Sequence, residues 1–150
     1  MQTFLPKASF DQSAEILDYR RLGKQRVEAY QILRILREKS TGAWSNHPAT
    51  LMWKGYENAL HLYLLTMCRE WLKRGYEDTL LPRLSLEKTT ISYPWWLGKK
   101  KFHACHRANL LFKDPTYYKQ YNWKEEPRAG YLWPTEEKTW RDLRKCTTKS

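Results

Sequence analysis

The chain has 150 residues, about one domain, with 41% apolar residues and a net charge of +11 from 27 Lys+Arg against 16 Asp+Glu. It lacks any run of ~18 apolar residues, and no basic-then-apolar leader opens it, so neither a membrane span nor a secretory signal is expected. The charge favours a polyanionic partner, nucleic acid ahead of an anionic membrane surface.

Eight Trp and ten Tyr supply rings that suit unstacked bases and equally suit a core. Cys68, Cys105 and Cys146 have no CxxC spacing and cannot all pair, as expected of a reducing, intracellular setting such as cytoplasm or nucleoid.

Residues 1–5 read as a short strand or extended arm ending at Pro6. Ser9, Asp11 and Ser13 are candidate caps for a first long helix over residues 14–37. Residues three and four apart share a helix face, so Arg21, Lys24, Gln25 and Glu28 form one stripe. The stripe continues into Ile32, Ile35 and Leu36, which should face a core, so it is expected to point inward. Two cations, an amide and a carboxylate in such a place cost free energy unless they pair, and such clusters are often functional. The plain alternative is a Lys24–Glu28 pair that supports the helix. Gly23 is unfavourable within a helix by ~1 kcal/mol relative to Ala. It fits either a close approach by backbone or ligand, or a contact between helices.

After the break at residues 40–42, His47 and Pro48 read as cap and first residue of a second helix over 48–74, closed by Gly75. His47 is either a proton-transfer or phosphate-donor group or a structural hydrogen-bonding residue. Met52, Tyr56, Ala59, Leu60, Tyr63, Met67 and Trp71 recur at helical spacing and read as core, with His61 and Cys68 as packing. Residues 77–92 show no period and a break at Pro82. Lys99, Lys100 and Lys101 then precede a third helix over 102–113 and form either a phosphate-binding edge or a solvated charge run. His103 and His106 do not make a convincing metal motif, because no second ligand pair accompanies them. Residues 115–124 are aromatic and basic without period, closer to a base-stacking surface than to a core strand. The expected fold is mostly α: one compact domain over 1–135, three main helices and irregular aromatic-rich loops, then a polar, basic tail over 136–150.

Three stretches together resemble a known family. They are Leu17-Asp18-Tyr19-Arg20 with Arg26; His47 heading a helix that closes with residues 72–79 (LKRGYEDT); and Arg107-Ala108-Asn109-Leu110 followed by residues 115–121 (PTYYKQY). In this order they are similar to the pyrimidine-dimer DNA glycosylases of the endonuclease V type. The resemblance implies excision of a damaged pyrimidine from double-stranded DNA by a monomer, then backbone scission at the abasic site. It implies an N-terminal α-amine as nucleophile, through a Schiff base, with no metal or organic cofactor. α-Amines titrate near ~8, so a useful fraction is neutral at physiological pH. Residue 2 is Gln, which leaves Met1 as the amine. The family's glutamate follows the Tyr-Arg pair, but that position is Arg21 here, and Glu28 is the replacement candidate. His47 is expected to assist, and Lys24 is an alternative amine. Arg20, Arg21, Arg26, Lys99, Lys100, Lys101, Arg107, Tyr117, Tyr118, Lys119 and Tyr121 are the candidate DNA contacts. A non-catalytic DNA-bending protein and an enzyme acting on free nucleosides or nucleotides are the rival readings.

Overall fold

In the computed structural model, residues 1–81 and 90–142 are described. The predicted first helix is two helices, α1 (Phe10–Ile16) and α2 (Tyr19–Glu38). Leu17 and Asp18 are extended between them, and the Asp18 carboxylate caps α2 by accepting from the Arg21 amide at 3.4 Å. The predicted second helix also divides. α3 (Pro48–Leu51) is capped by His47, whose Nδ1 accepts from the Ala49 amide, and α4 (Glu57–Lys73) follows a turn through Gly55 at φ +87°. Only glycine enters that backbone region without strain. α4 ends as the sequence predicts: Gly75 lies at φ +92°, its amide reaches Leu72 O at 2.9 Å, and the Tyr76 amide reaches Trp71 O at 3.2 Å. α5 (Lys100–Lys113) and the short α6 (Pro115–Tyr118) run into a 3-10 turn over Lys119–Tyr121.

Three long helices, α2, α4 and α5, thus carry a mostly α domain. α2 packs along α4, burying Leu22, Ala29, Ile32 and Leu33 with Leu60, Tyr63, Leu64 and Met67. Ile35, Leu36, Tyr56 and Trp71, expected in the core, lie half-buried at its margin. Gly23 makes the contact between helices: a Cβ there would meet the Trp71 ring at 3.1 Å. His61, Cys68 and Cys105 are buried, and neither of these cysteines is in a disulfide among the described residues. Burial pushes the Cys68 thiol up to about 12, helped by the nearby Asp78 carboxylate.

Residues 136–142 are not simply a polar tail. β1 (Leu132–Pro134) pairs antiparallel with β2 (Trp140–Asp142), with Trp133 opposite Arg141, so the 135/136 boundary falls within a hairpin. The Pro82 break and residues 143–150, with Cys146, lie outside the described residues. Among the described residues no helix is long and apolar enough to cross a membrane.

Candidate active site

The N-terminal arm is extended, and residues 2–6 are buried. An extended arm has no backbone partners of its own, so every buried N–H must find one elsewhere. The Phe4 amide donates to Gln25 Oε1 at 2.8 Å, and the same oxygen accepts from the Tyr63 hydroxyl at 2.8 Å. The Gln2 amide donates to Glu28 Oε2 at 3.3 Å, and Gln25 Nε2 reaches that oxygen at 3.2 Å. Trp53 Nε1 donates to Thr3 Oγ1 at 3.0 Å. Only part of the stripe faces inward: Gln25 is buried and Glu28 half-buried against the arm's backbone, whereas Lys24 is exposed and Arg21 half-buried at a cleft. Glu28 serves the arm, and no Lys24–Glu28 ion pair forms among the described residues.

His103 and His106 complete the anchorage from α5. The Leu5 amide donates to His106 Nδ1 at 2.9 Å, and His103 Nδ1 donates to Leu5 O at 2.8 Å while its Nε2 accepts from the Gly98 amide. These bonds require neutral rings. Burial holds both histidines below their ordinary range, His106 at about 3. Spacing at i, i+3 marks them as sharing a face, but nothing local in the sequence reveals that a peptide group is what they share.

The arm delivers Met1 to a cleft of about 710 Å³ lined by Arg20, Arg21, Lys24, Glu28, Lys113 and Tyr131, with Gln2 and Asp114 also on its wall. Arg20 and Lys24 are exposed, while Arg21 is half-buried and paired with Asp18 at 3.2 Å. His47 lies close to this end. Burial lowers its pKa first, and the positive α-amine of Met1 lowers it further. Met1 also borders a second cleft with Trp44, Gln31, Arg34, Ile35 and Glu38. Lys113, Tyr131 and the two histidines are residues around the arm and its cleft that sequence reasoning misses. Of these only the histidines carry a signal, their i, i+3 spacing, while Gln25 is already a member of the stripe.

The structure withdraws several expected DNA contacts into the protein. Tyr118 is buried; its hydroxyl donates to Asp18 Oδ1 at 2.5 Å and accepts from the Asp18 amide at 3.2 Å. Tyr121 is half-buried, donates to Ile16 O at 3.1 Å and stacks on Trp123. The aromatic segment is a wedge against the α1–α2 junction, not an open stacking surface. Arg26 pairs with the buried Asp78 at 2.6 Å and lies over the Trp71 ring. Arg107 is held by Glu125 and by Pro6 O at 2.9 Å. Lys99, Lys100, Lys101 and Lys119 remain exposed, with Lys101 over the Trp140 ring; Tyr117 is half-buried.

The fold thus sets the first residue at the mouth of a cleft that carries Arg20, Arg21, Lys24 and the Glu28 carboxylate. Residues 1–82 match the family model described as pyrimidine dimer DNA glycosylase, more than half of the chain. The chain belongs to that family. No curated protein and no solved structure matches it.

Proposed function

We propose that this protein is a DNA glycosylase with abasic-site lyase activity, acting as a monomer on duplex DNA that carries a damaged pyrimidine. The observation that carries the reading is the Gln2 amide–Glu28 bond of 3.3 Å, which holds the peptide after Met1 against a carboxylate at the cationic cleft.

In this reading the neutral Met1 amine attacks C1′ of the target nucleotide. The electron pair of the N-glycosidic bond leaves with the base, which gains a proton. The amine loses a proton, the C1′–O4′ bond opens, O4′ is protonated and a protonated Schiff base forms. Glu28 takes the C2′ proton, the C3′–O bond breaks and the 3′ phosphate departs. Water then hydrolyses the Schiff base and returns the amine. Glu28 suits this proton role because both its bonds fall on Oε2, while the carboxylate borders the cleft. His47, whose Nδ1 is taken by the Ala49 amide, is left neutral with its proton on Nε2 and assists as a hydrogen-bond donor near the amine. Arg20, Arg21 and Lys24 take the phosphates, with the exposed Lys99, Lys100, Lys101 and Lys119 as outer contacts.

Arg21 at the family's glutamate position favours a second reading, a DNA-binding protein that does not cut. One experiment separates them: incubation with an abasic duplex and borohydride, then peptide mapping. A covalent adduct on Met1, abolished by N-terminal acetylation while DNA binding survives, is the expected result. An adduct on Lys24 moves the nucleophile. DNA binding without any adduct leaves the non-cutting reading.

A further inference from the structure

The buried arm has a cationic cleft at each end. At its start, Met1 borders the cleft of Arg20 and Lys24. At its far end, Lys7 enters a cleft of about 410 Å³ that Lys100, Lys101 and Arg107 complete from α5. The two clefts share no lining residue, and residues 2–6 between them are buried. Lys7, Lys100 and Lys101 are exposed, and none of them forms an ion pair among the described residues. Nor does a carboxylate line the Lys7 cleft among those residues. Lys7 is fixed at its backbone: its amide donates to Ser13 Oγ at 3.1 Å, and its carbonyl accepts from that hydroxyl at 2.9 Å. Like charges gathered on one cleft from two elements cost free energy unless an anion joins them.

The cationic surface does not run on from one cleft to the other. Lys100, Ala104 and Arg107 make one stripe of α5. At the same spacing the stripe continues into Leu111, which is buried, and Asp114, a carboxylate on the wall of the Arg20–Lys24 cleft. Glu125 and Glu126 stand beside Ala104 and Ala108, and Glu125 already holds Arg107. The next cation along α5 is Lys113, about 18 Å beyond Lys101 along the helix axis. Phe112, just before it, is 57% exposed. A phosphate backbone laid along α5 would therefore meet carboxylates and an apolar ring between the two clefts.

We infer that the Lys7 cleft is a second DNA surface, which takes the phosphates of a separate duplex segment while the Arg20–Lys24 cleft keeps its own. This rests on the duplex-DNA reading proposed above, and it gives the outer lysines Lys100 and Lys101 to a different segment from the one being processed. Phosphates fit the wall because it is cationic. Its uncharged residues, Ala8, Gly98 and Ala104, offer no large apolar side chain to a bilayer. A chain that holds two segments passes from one to the other without first releasing DNA.

The test is the number of duplexes that one chain holds. It is read by sedimentation equilibrium of the full chain with excess undamaged duplex about one helical turn long. Such a duplex, roughly 34 Å, is long enough to touch both clefts, so one shared segment would bind one to one. The expected particle is one chain with two duplexes, the second held more weakly. Lys7→Glu should weaken the second step by roughly tenfold at ~0.1 M salt, the loss of one phosphate contact, and move the first by less than about twofold. Lys7→Arg should keep both steps. One duplex per chain at saturation, a particle of two chains with two duplexes, or equal second steps in wild type and Lys7→Glu overturns the inference. So does binding of anionic vesicles through Lys7 with no second duplex held. Borohydride trapping on an abasic duplex reports the amine chemistry separately. A failure to trap is thus distinguishable from a failure of the second surface, which the stoichiometry alone decides.

Discussion

The polar stripe of α2 and the aromatic segment after α5 are both dense in cations and rings, yet one lines an open cleft and the other closes on the protein. The difference lies in what each one faces. Opposite the stripe runs an extended arm whose buried amides need acceptors. Gln25 and Glu28 supply them, and the slim arm leaves Arg20 and Lys24 uncovered. Opposite the aromatic segment is a helix break, where the Asp18 amide and carboxylate both need partners. A phenol can accept and donate at once, and Tyr118 does both. Cations beside rings therefore mark a surface only when no break in the backbone calls the rings inward.

The contrast is tested most severely at Glu28. Glu28→Gln should lower single-turnover cleavage of a damaged duplex by roughly 10²-fold, as acid–base groups typically contribute, with DNA affinity changed only a few-fold. An unchanged rate with a lowered Tm would make Glu28 a tether for the arm and nothing more.

His106 gives the next effect. Its folded pKa of about 3 lies below the ordinary 6.5. Between those values the unfolded chain binds the proton and the folded chain does not. Stability is therefore fully present above about 6.5 and is lost as pH falls toward 3. The expected slope from this group is about 1.4 kcal/mol per pH unit in that window. His106→Asn, whose side-chain oxygen can still accept from the Leu5 amide, should flatten the slope in urea melts taken from pH 7 to 4.

Tyr118→Phe should cost about 2 kcal/mol, a Tm loss of roughly 5 °C, by stripping a hydrogen bond from a buried carboxylate. DNA affinity should not follow, and a parallel loss of affinity would return this ring to the binding surface. The smallest effect is expected at Lys24→Ala. Binding should weaken a few-fold, and the slope of log K against log[salt] should become shallower by about 0.9, one phosphate contact.

The same contrast explains what can be read from the residues alone. The end of α4 is legible because Gly75 acts locally. The inward turn of Gln25 is legible from the stripe's continuation into Ile32, but the exposure of Lys24 is not. The break at Gly55 falls inside the stretch read as one helix over 48–74, because the apolar recurrence continues on both sides of it. The break at Leu17–Asp18 is not legible, since its reason, Tyr118, lies 100 residues away. Nor is the duty of His103 and His106, because their partner is a peptide group, which carries no residue-specific mark. The N-terminal arm is recognisable as extended, but the acceptors that hold it come from α2 and α5.

The bond between the Leu5 amide and His106 spans 101 residues. On a ribosome adding ~5–20 residues per second, the first residues wait on the order of ten seconds before the ring that fixes them exists. α2 and α4 can meet during that interval, but the arm stays without its α5 clamp until synthesis is well past the middle of the chain. The first residue is thus made first and locked late, and the cleft it borders reaches its final form only as the fold closes around it.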